Sequence, residues 1–367
     1  MKILYDHQIF SQQQYGGISR YFYELIKRFD GTQNSCEVAT LFTNNAYYNQ
    51  EVNQKLKSFF PNNNFRGKER ILKKINKEAS NLKIGKGSFD VFHPTYYDPY
   101  FLKNIKDKAF VVTFYDMIHE KLADQFEDLK LDTRIFDNKK RLLEYSAKVI
   151  AISETTKQDI IEIFGVDSEK IDVVYLGNSL SITNAINTRM VEEDYILFVG
   201  NRGIYKNFNF FVTAIADLLV NNNLKLICAG GGDFTQKELS LLKSLNIQNK
   251  VIFKRIINDD VLANYYKHAL FFCFPSLYEG FGIPVLEAFA CGCPVLLSNG
   301  GSLPEIGGDA ALYFEPTNKD SLLAEANKLL NNGLLRKKLV EKANARLHQF
   351  SWDKTYQDHI KIYESTQ

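Results

Sequence analysis

At 367 residues the chain is longer than one hydrophobic core usually serves, so two domains are expected. Its apolar fraction of 45% and charged fraction of 24% are ordinary for a globular protein, and a net charge of +2 argues against a nucleic-acid partner. No run is long enough for a transmembrane helix, MKILYDHQIF opens as a strand and not a signal peptide, and five scattered cysteines lack zinc-ligand spacing, so reduced thiols in the cytoplasm are expected.

Lys2–Tyr5 predicts a first strand, followed by Tyr15-Gly16-Gly17-Ile18-Ser19-Arg20 and a helix over Tyr21–Phe29. Strand, diglycine and helix open a Rossmann-like unit, although a tight turn without a ligand fits the same residues. Glu37–Phe42 reads as a second strand, and the Asn-rich stretch through Pro61-Asn62-Asn63-Asn64 as loop. Arg66–Lys86 carries eight Lys or Arg against Glu69 and Glu78, with Ile71, Leu72 and Ile75 forming one apolar edge. That is either a solvated surface helix or an attachment surface for anionic lipid at the inner face of the plasma membrane.

Phe89–Pro94 and Val111–Asp116 read as buried parallel strands ending in polar residues. Ligands of doubly wound folds sit beyond the carboxyl ends of strands, so His93, Tyr115 and Asp116 are site candidates, or else residues of the rim. Lys148–Ser153, a helix through Phe164 and Ile171–Tyr175 complete a first domain over residues 1–178. Residues 179–193, polar and without a period, form the expected linker.

Tyr195–Val199 opens a second domain, expected over 194–348, and runs into Gly200-Asn201-Arg202-Gly203-Ile204-Tyr205-Lys206-Asn207. Arg202 and Lys206 just past a strand end suit phosphate, one as a fork and one as a point charge, or they are solvated. Leu224–Gly230 is a strand running into a triple glycine, and Val251–Arg255 another. Ala269–Pro275 leads into Phe274–Glu287, where Glu279 and Glu287, with seven residues between them, bracket a turn holding Gly280, Phe281, Gly282 and Ile283. Pro284 suits a first helical turn, whose free amides attract phosphate, and a carboxylate one turn in can accept from a ribose diol. A capped helix with two solvated glutamates is the bland alternative. Val295–Ser298 and Ala311–Phe314 finish the sheet, helices fill Ser321–Phe350, and residues 349–367 hold a last helix with the chain's one tryptophan.

YEGFGIPVLEAFACGCPVLLSNGGSLPEI resembles the signature of retaining glycosyltransferases of family 4, agreeing in residue type over some thirty positions. The resemblance implies the GT-B architecture: two Rossmann-like α/β domains facing across a cleft, with the last helix crossing back to the first. It implies a nucleoside-diphosphate sugar as donor, a saccharide or lipid-linked acceptor, and no metal or other cofactor; the chain has no Asp-x-Asp. Glu287 would hold the ribose, Arg202 and Lys206 the diphosphate, and Glu279 with the amides of the glycine turn the sugar. Gly16 and Gly17 would face the donor phosphate, and the loop at Arg255 the base. Attack would come on the front face, the leaving phosphate taking the acceptor proton. Many members carry His where Tyr115 stands, so sugar preference is open. YGGISRYFYELI and DMIHE resemble transferases of O-antigen and capsule synthesis, several of them mannosyltransferases. A sugar-nucleotide epimerase of the same fold, and a non-catalytic binding protein, are the alternatives.

Overall fold

The computed structural model describes residues 1–48, 58–61, 63, 65–126, 129, 133–180 and 188–367. Asn62, Asn64 and residues 181–187 of the expected linker lie outside these. The chain divides into two compact units, Met1–Leu176 with Trp352–Gln367, and Gly177–Ser351.

In the first unit, strands β1 (Lys2–Tyr5), β2 (Ser35–Val38) and β3 (Val91–His93) pair in the order β2-β1-β3. Strands β4 (Val111–Phe114), β5 (Lys148–Ala151) and β6 (Ile171–Val173) pair in the order β4-β5-β6. A parallel bridge between Phe92 and Phe110 adjoins the two sets. All pairings are parallel, and β3 and β4 are buried along their whole length, as strands covered by helices on both faces must be. The first helix after the diglycine runs Gly17–Ile26, starting earlier than expected, because Gly16 is its N-cap and the carbonyl of Gly16 accepts from Arg20 N and Ser19 Oγ. Strand β2 likewise starts two residues earlier than expected and ends at Val38, short of Leu41 and Phe42.

Helix Trp352–Glu364 belongs to the first unit through a line of hydrogen bonds whose direction can be read. His359 Nδ1 lies 2.6 Å from the Thr355 carbonyl, which can only accept, so Nδ1 carries the proton and Nε2 accepts from Tyr21 OH. Thr113 Oγ1 then donates to Tyr21 OH at 3.0 Å, and His93 Nε2 donates to Thr113 Oγ1 at 3.0 Å. His93 Nδ1 is left to accept from Tyr363 OH at 2.7 Å, and Tyr363 to accept from Tyr5 OH at 3.1 Å. Every member is buried. Thr355 Oγ1 adds a bond to the Tyr175 carbonyl at 2.7 Å.

The second unit holds, among the described residues, one six-stranded parallel sheet in the order β12-β11-β10-β7-β8-β9. Its strands are β7 (Tyr195–Val199), β8 (Lys225–Ala229), β9 (Val251–Lys254), β10 (Phe271–Phe274), β11 (Val295–Ser298) and β12 (Ala311–Phe314). The runs YILFV, FFCF and VLLS are buried throughout. Ile196, Phe198, Leu226, Cys273 and Leu296 pack with Phe211, Ile215 and Leu219 of helix Phe208–Asn221 in one core cluster. The chain winds outward through β8 and β9, then returns to β10 on the other side of β7. The order therefore reverses between β7 and β10, the place where open α/β sheets leave a crevice for ligands.

Candidate functional site

The two loops that leave this reversal carry the chemistry. After β7 come Gly200 to Asn207, with a 3₁₀ turn over Ile204–Lys206. After β10 come Pro275 to Gly282, then helix Ile283–Ala290. Lys206 Nζ spans the loops to Glu279 Oε1 at 2.7 Å, and Leu277 N donates to the Tyr205 carbonyl at 2.7 Å. The ammonium also lies 4.8 Å from the Phe274 ring centroid and 5.0 Å from that of Tyr205. Two aromatic faces and a carboxylate hold it in place, with both charged side chains mostly buried.

The glycine turn is fixed from behind. Gly282, at φ +105, is the N-cap of helix Ile283–Ala290, and a Cβ there would press on Leu303 Cδ2 at 3.0 Å. Gly301, at φ +59, lets Ser302 close over Glu279, since a Cβ on Gly301 would stand 2.4 Å from the Glu279 carbonyl oxygen. Ser302 Oγ donates to the carbonyls of Glu279 and Phe281 at 3.0 and 2.9 Å, and Phe281 packs edge-on to Phe350. Gly280 is buried with the rest of the turn. Glu287 sits at the fifth helical position, half-buried, with Oε2 accepting from Tyr266 OH at 3.0 Å.

Arg202 is turned the other way. Its guanidinium, 3% exposed, donates from Nε to Glu238 Oε1 at 2.6 Å and from Nη1 to the Gly230 carbonyl at 3.3 Å. Nη2 donates to the carbonyls of Gly232 and Asp233, both at 2.9 Å, and the group stacks 4.7 Å from the Phe234 ring. These four bonds engage four of the roughly five N–H donors a guanidinium has. The side chain clamps the triple-glycine turn after β8. Glu238 is the N3 residue of a capping box with Thr235, so one carboxylate serves helix Gln236–Ser244 and Arg202 together. Burial pushes the Glu238 carboxyl up, but hydrogen bonds from Arg202 and Thr235 outweigh it and hold it below the usual range. Arg255 is exposed at the end of edge strand β9, two strands removed from β7.

Two candidates of the first unit, His93 and Tyr115, are buried. His93 is wholly buried between Thr113 and Tyr363, because the last residue of β3 faces helix Trp352–Glu364. Tyr115 is buried edge-on to Tyr21, its hydroxyl donating to the Thr95 carbonyl at 3.3 Å. Asp116 is half-buried at the start of helix Ile118–Leu122, where Oδ1 accepts from Ile118 N at 3.1 Å and the carbonyl accepts from Lys139 at 3.0 Å. Gly16 and Gly17 begin their helix beside Gln13, whose Oε1 accepts from Ser19 N at 3.2 Å. The sequence reading missed Asp6. It is wholly buried and accepts from Gln8, from Thr95 N and Oγ1 at 2.9 and 2.6 Å, and from Tyr100, joining the loops after β1 and β3. An Asp directly after the first strand was its one visible signal.

A family model described as Glycosyltransferase Family 4 matches residues 15–181, and one described as Glycosyl transferases group 1 matches 183–346. The chain is 26% identical over 375 residues to O-antigen chain mannosyltransferase B of Escherichia coli, covering 95% of this chain and 96% of that protein. Among solved structures it is similar to sucrose-phosphate synthase from Thermosynechococcus elongatus, at TM-score 0.81 and 19% identity over 100% of this chain and 98% of that one. It is also similar to Anabaena HepE in complex with UDP and glucose, at TM-score 0.74 and 16% identity, covering 100% of both chains.

Proposed function

We propose that this chain, which belongs to the family 4 glycosyltransferases and has their GT-B fold, moves a sugar from a nucleoside-diphosphate donor with retention of configuration. The acceptor is a saccharide or lipid-linked saccharide of a surface polysaccharide, as the name of the O-antigen relative suggests. One observation carries the reading: the loops at the strand-order reversal bring Lys206 and Glu279 together beside a glycine turn that opens the helix of Glu287. Lys206 supplies a fixed positive charge for the diphosphate as the sugar leaves, and the dipole of helix Ile283–Ala290 adds a partial positive charge at its start. Glu287 accepts from the ribose, and Glu279 with the turn amides orients the sugar. Arg202 acts at one remove, holding the glycine turn after β8. Since fixed cationic and amide groups meet the phosphate charge, turnover proceeds without a metal.

The competing reading is an epimerase of the same fold, which would change the donor without an acceptor. A relative matched over nearly the whole chain is named as a transferase, which favours transfer. Melting the wild type and Lys206→Met with a panel of nucleotide sugars tests the site, because a ligand of the folded state alone raises the midpoint. A shift with one donor that shrinks in Lys206→Met, and turnover that survives EDTA, are expected. Equal shifts in both proteins, or activity restored only by Mg²⁺ or Mn²⁺, contradict it.

No helix among the described residues is long and apolar enough to cross a membrane. The chain works at the inner face of the plasma membrane, held there by helix Lys68–Lys86 and its approach. That helix buries Leu72, Asn76, Ser80 and Ile84 and turns Arg70, Lys73 and Lys74 outward, near exposed Phe60, Phe65 and Ile71 in sequence.

A further inference from the structure

We infer that Tyr266 is a positioning residue for nucleotide recognition: its hydroxyl sets the plane in which the Glu287 carboxylate meets the ribose. The inference rests on the reading of Glu287 given above. Tyr266 lies in helix Asp259–His268, whose start is fixed by Asn258 Oδ1 accepting from Val261 N at 2.9 Å. Asp259 and Asp260 in its first turn and Lys267 in its last suit the helix dipole. The ring is wholly buried and meets Phe272 of β10 edge-on, 5.4 Å between centroids at 84°. A side chain so packed has one place for its hydroxyl, and that place is 3.0 Å from Glu287 Oε2.

The phenol serves only as a donor here. Burial, and then the charge of Glu287, raise its pKa well above the ordinary tyrosine value, so its proton stays on. The last torsion of a glutamate is broad, and a fixed donor on one oxygen narrows it. Without that donor, binding a diol to it would include the cost of stopping that rotation. With Oε2 pinned from inside the fold, the carboxylate is oriented before the nucleotide arrives. Tyr266 does not itself reach for the ligand. It is placed by the same strand, β10, that leads into the glycine turn.

Calorimetric titration of wild type, Tyr266→Phe and Glu287→Gln with UDP, GDP and their 2′-deoxy forms tests this. The wild type is expected to prefer the ribose form of the nucleotide it binds. Tyr266→Phe should narrow that preference about three- to tenfold, the scale of one hydrogen bond, with turnover at saturating donor little changed. Phe keeps the contact with Phe272, and a ratio of two affinities in one sample does not depend on the folded fraction. A mere structural brace would leave the ratio alone. A wild type that binds neither nucleotide, or both sugar forms equally, removes the reading of Glu287 and the inference with it. If Glu287→Gln abolishes the preference and Tyr266→Phe keeps it in full, the inference alone falls.

Discussion

Lys206 and Glu279 stand 73 positions apart in sequence and 2.7 Å apart in space. Each comes directly off a strand at the reversal of order, so their meeting is a consequence of how the second sheet is wound. The pair fixes the ammonium before any donor binds. On the proposed reading, a donor phosphate would meet a charge already in place, the condition under which electrostatic stabilisation of a departing group is largest.

Lys206→Met keeps an apolar stem against Phe274 and removes the charge. Turnover should fall on the order of 10²–10³-fold, the usual cost of losing one preorganised stabilising group. Glu279→Gln should lower turnover more than nucleotide affinity, and Glu287→Gln the reverse. Steady-state kinetics beside nucleotide titrations separate them. Equal loss of affinity in both glutamate variants, with turnover intact, contradicts the roles.

For Arg202 the expected loss is stability. Arg202→Met strands the Glu238 carboxylate, and breaking a buried pair from one side costs about 3–5 kcal/mol. The melting midpoint should drop, while the folded fraction still binds nucleoside diphosphate. An unchanged midpoint with nucleotide binding lost would return Arg202 to direct contact with phosphate.

The difference between Lys206 and Arg202 shows what the sequence could convey. Strand, glycine turn and helix are local patterns, so the strands of the second unit, the loops carrying Lys206 and Glu279, and the helix carrying Glu287 were legible. Side-chain direction was not. Arg202 is turned inward by Glu238, 36 positions on, and by the carbonyls of the triple-glycine turn after β8. His93 is claimed by Tyr363, 270 positions away on a helix that packs with the first unit. Nothing in the sequence singles out Tyr266, and only the packing of its helix beside Ile283–Ala290 gives its hydroxyl a role. Strand β2 lies two residues earlier than expected, at Ser35–Val38, because pairing with β1 and not the apolarity of Leu41 and Phe42 sets its bounds.

The line of hydrogen bonds through His359 and His93 predicts a pH dependence. Burial lowers His359 to about 4, and burial with the neighbouring His359 holds His93 well below its ordinary value. Both are neutral when folded, whereas the unfolded chain takes up protons below about pH 6.5. Stability is therefore complete above that pH and falls on acidification until the folded histidines titrate, at about 1.4 kcal/mol per pH unit for each. Trp352 is the one tryptophan and packs 6.3 Å from Tyr21, so its fluorescence reports the unfolding of this unit. Denaturant midpoints should decline from pH 7.5 to 5, less steeply in His359→Gln. A flat profile contradicts the neutral line.

Vesicle flotation checks the surface of helix Lys68–Lys86. Lys77 and Lys83 pair with Asp98 and Glu37, so Arg70, Lys73 and Lys74 are the residues to neutralise. Binding to anionic vesicles should fall steeply with salt, as a Debye length of roughly 8 Å at physiological ionic strength requires, and vanish in the triple variant. Binding that ignores salt, or occurs equally on neutral vesicles, speaks against it.

Proton NMR of the donor reaction tests the central claim most directly. With a sugar nucleotide selected by thermal shift, and water standing in for the acceptor, slow turnover should release the nucleoside diphosphate. The first sugar signal should be the anomer that the donor carried, before mutarotation mixes the two. Appearance of the opposite anomer first would contradict retention, and an epimerised donor with no nucleoside diphosphate released would contradict transfer itself.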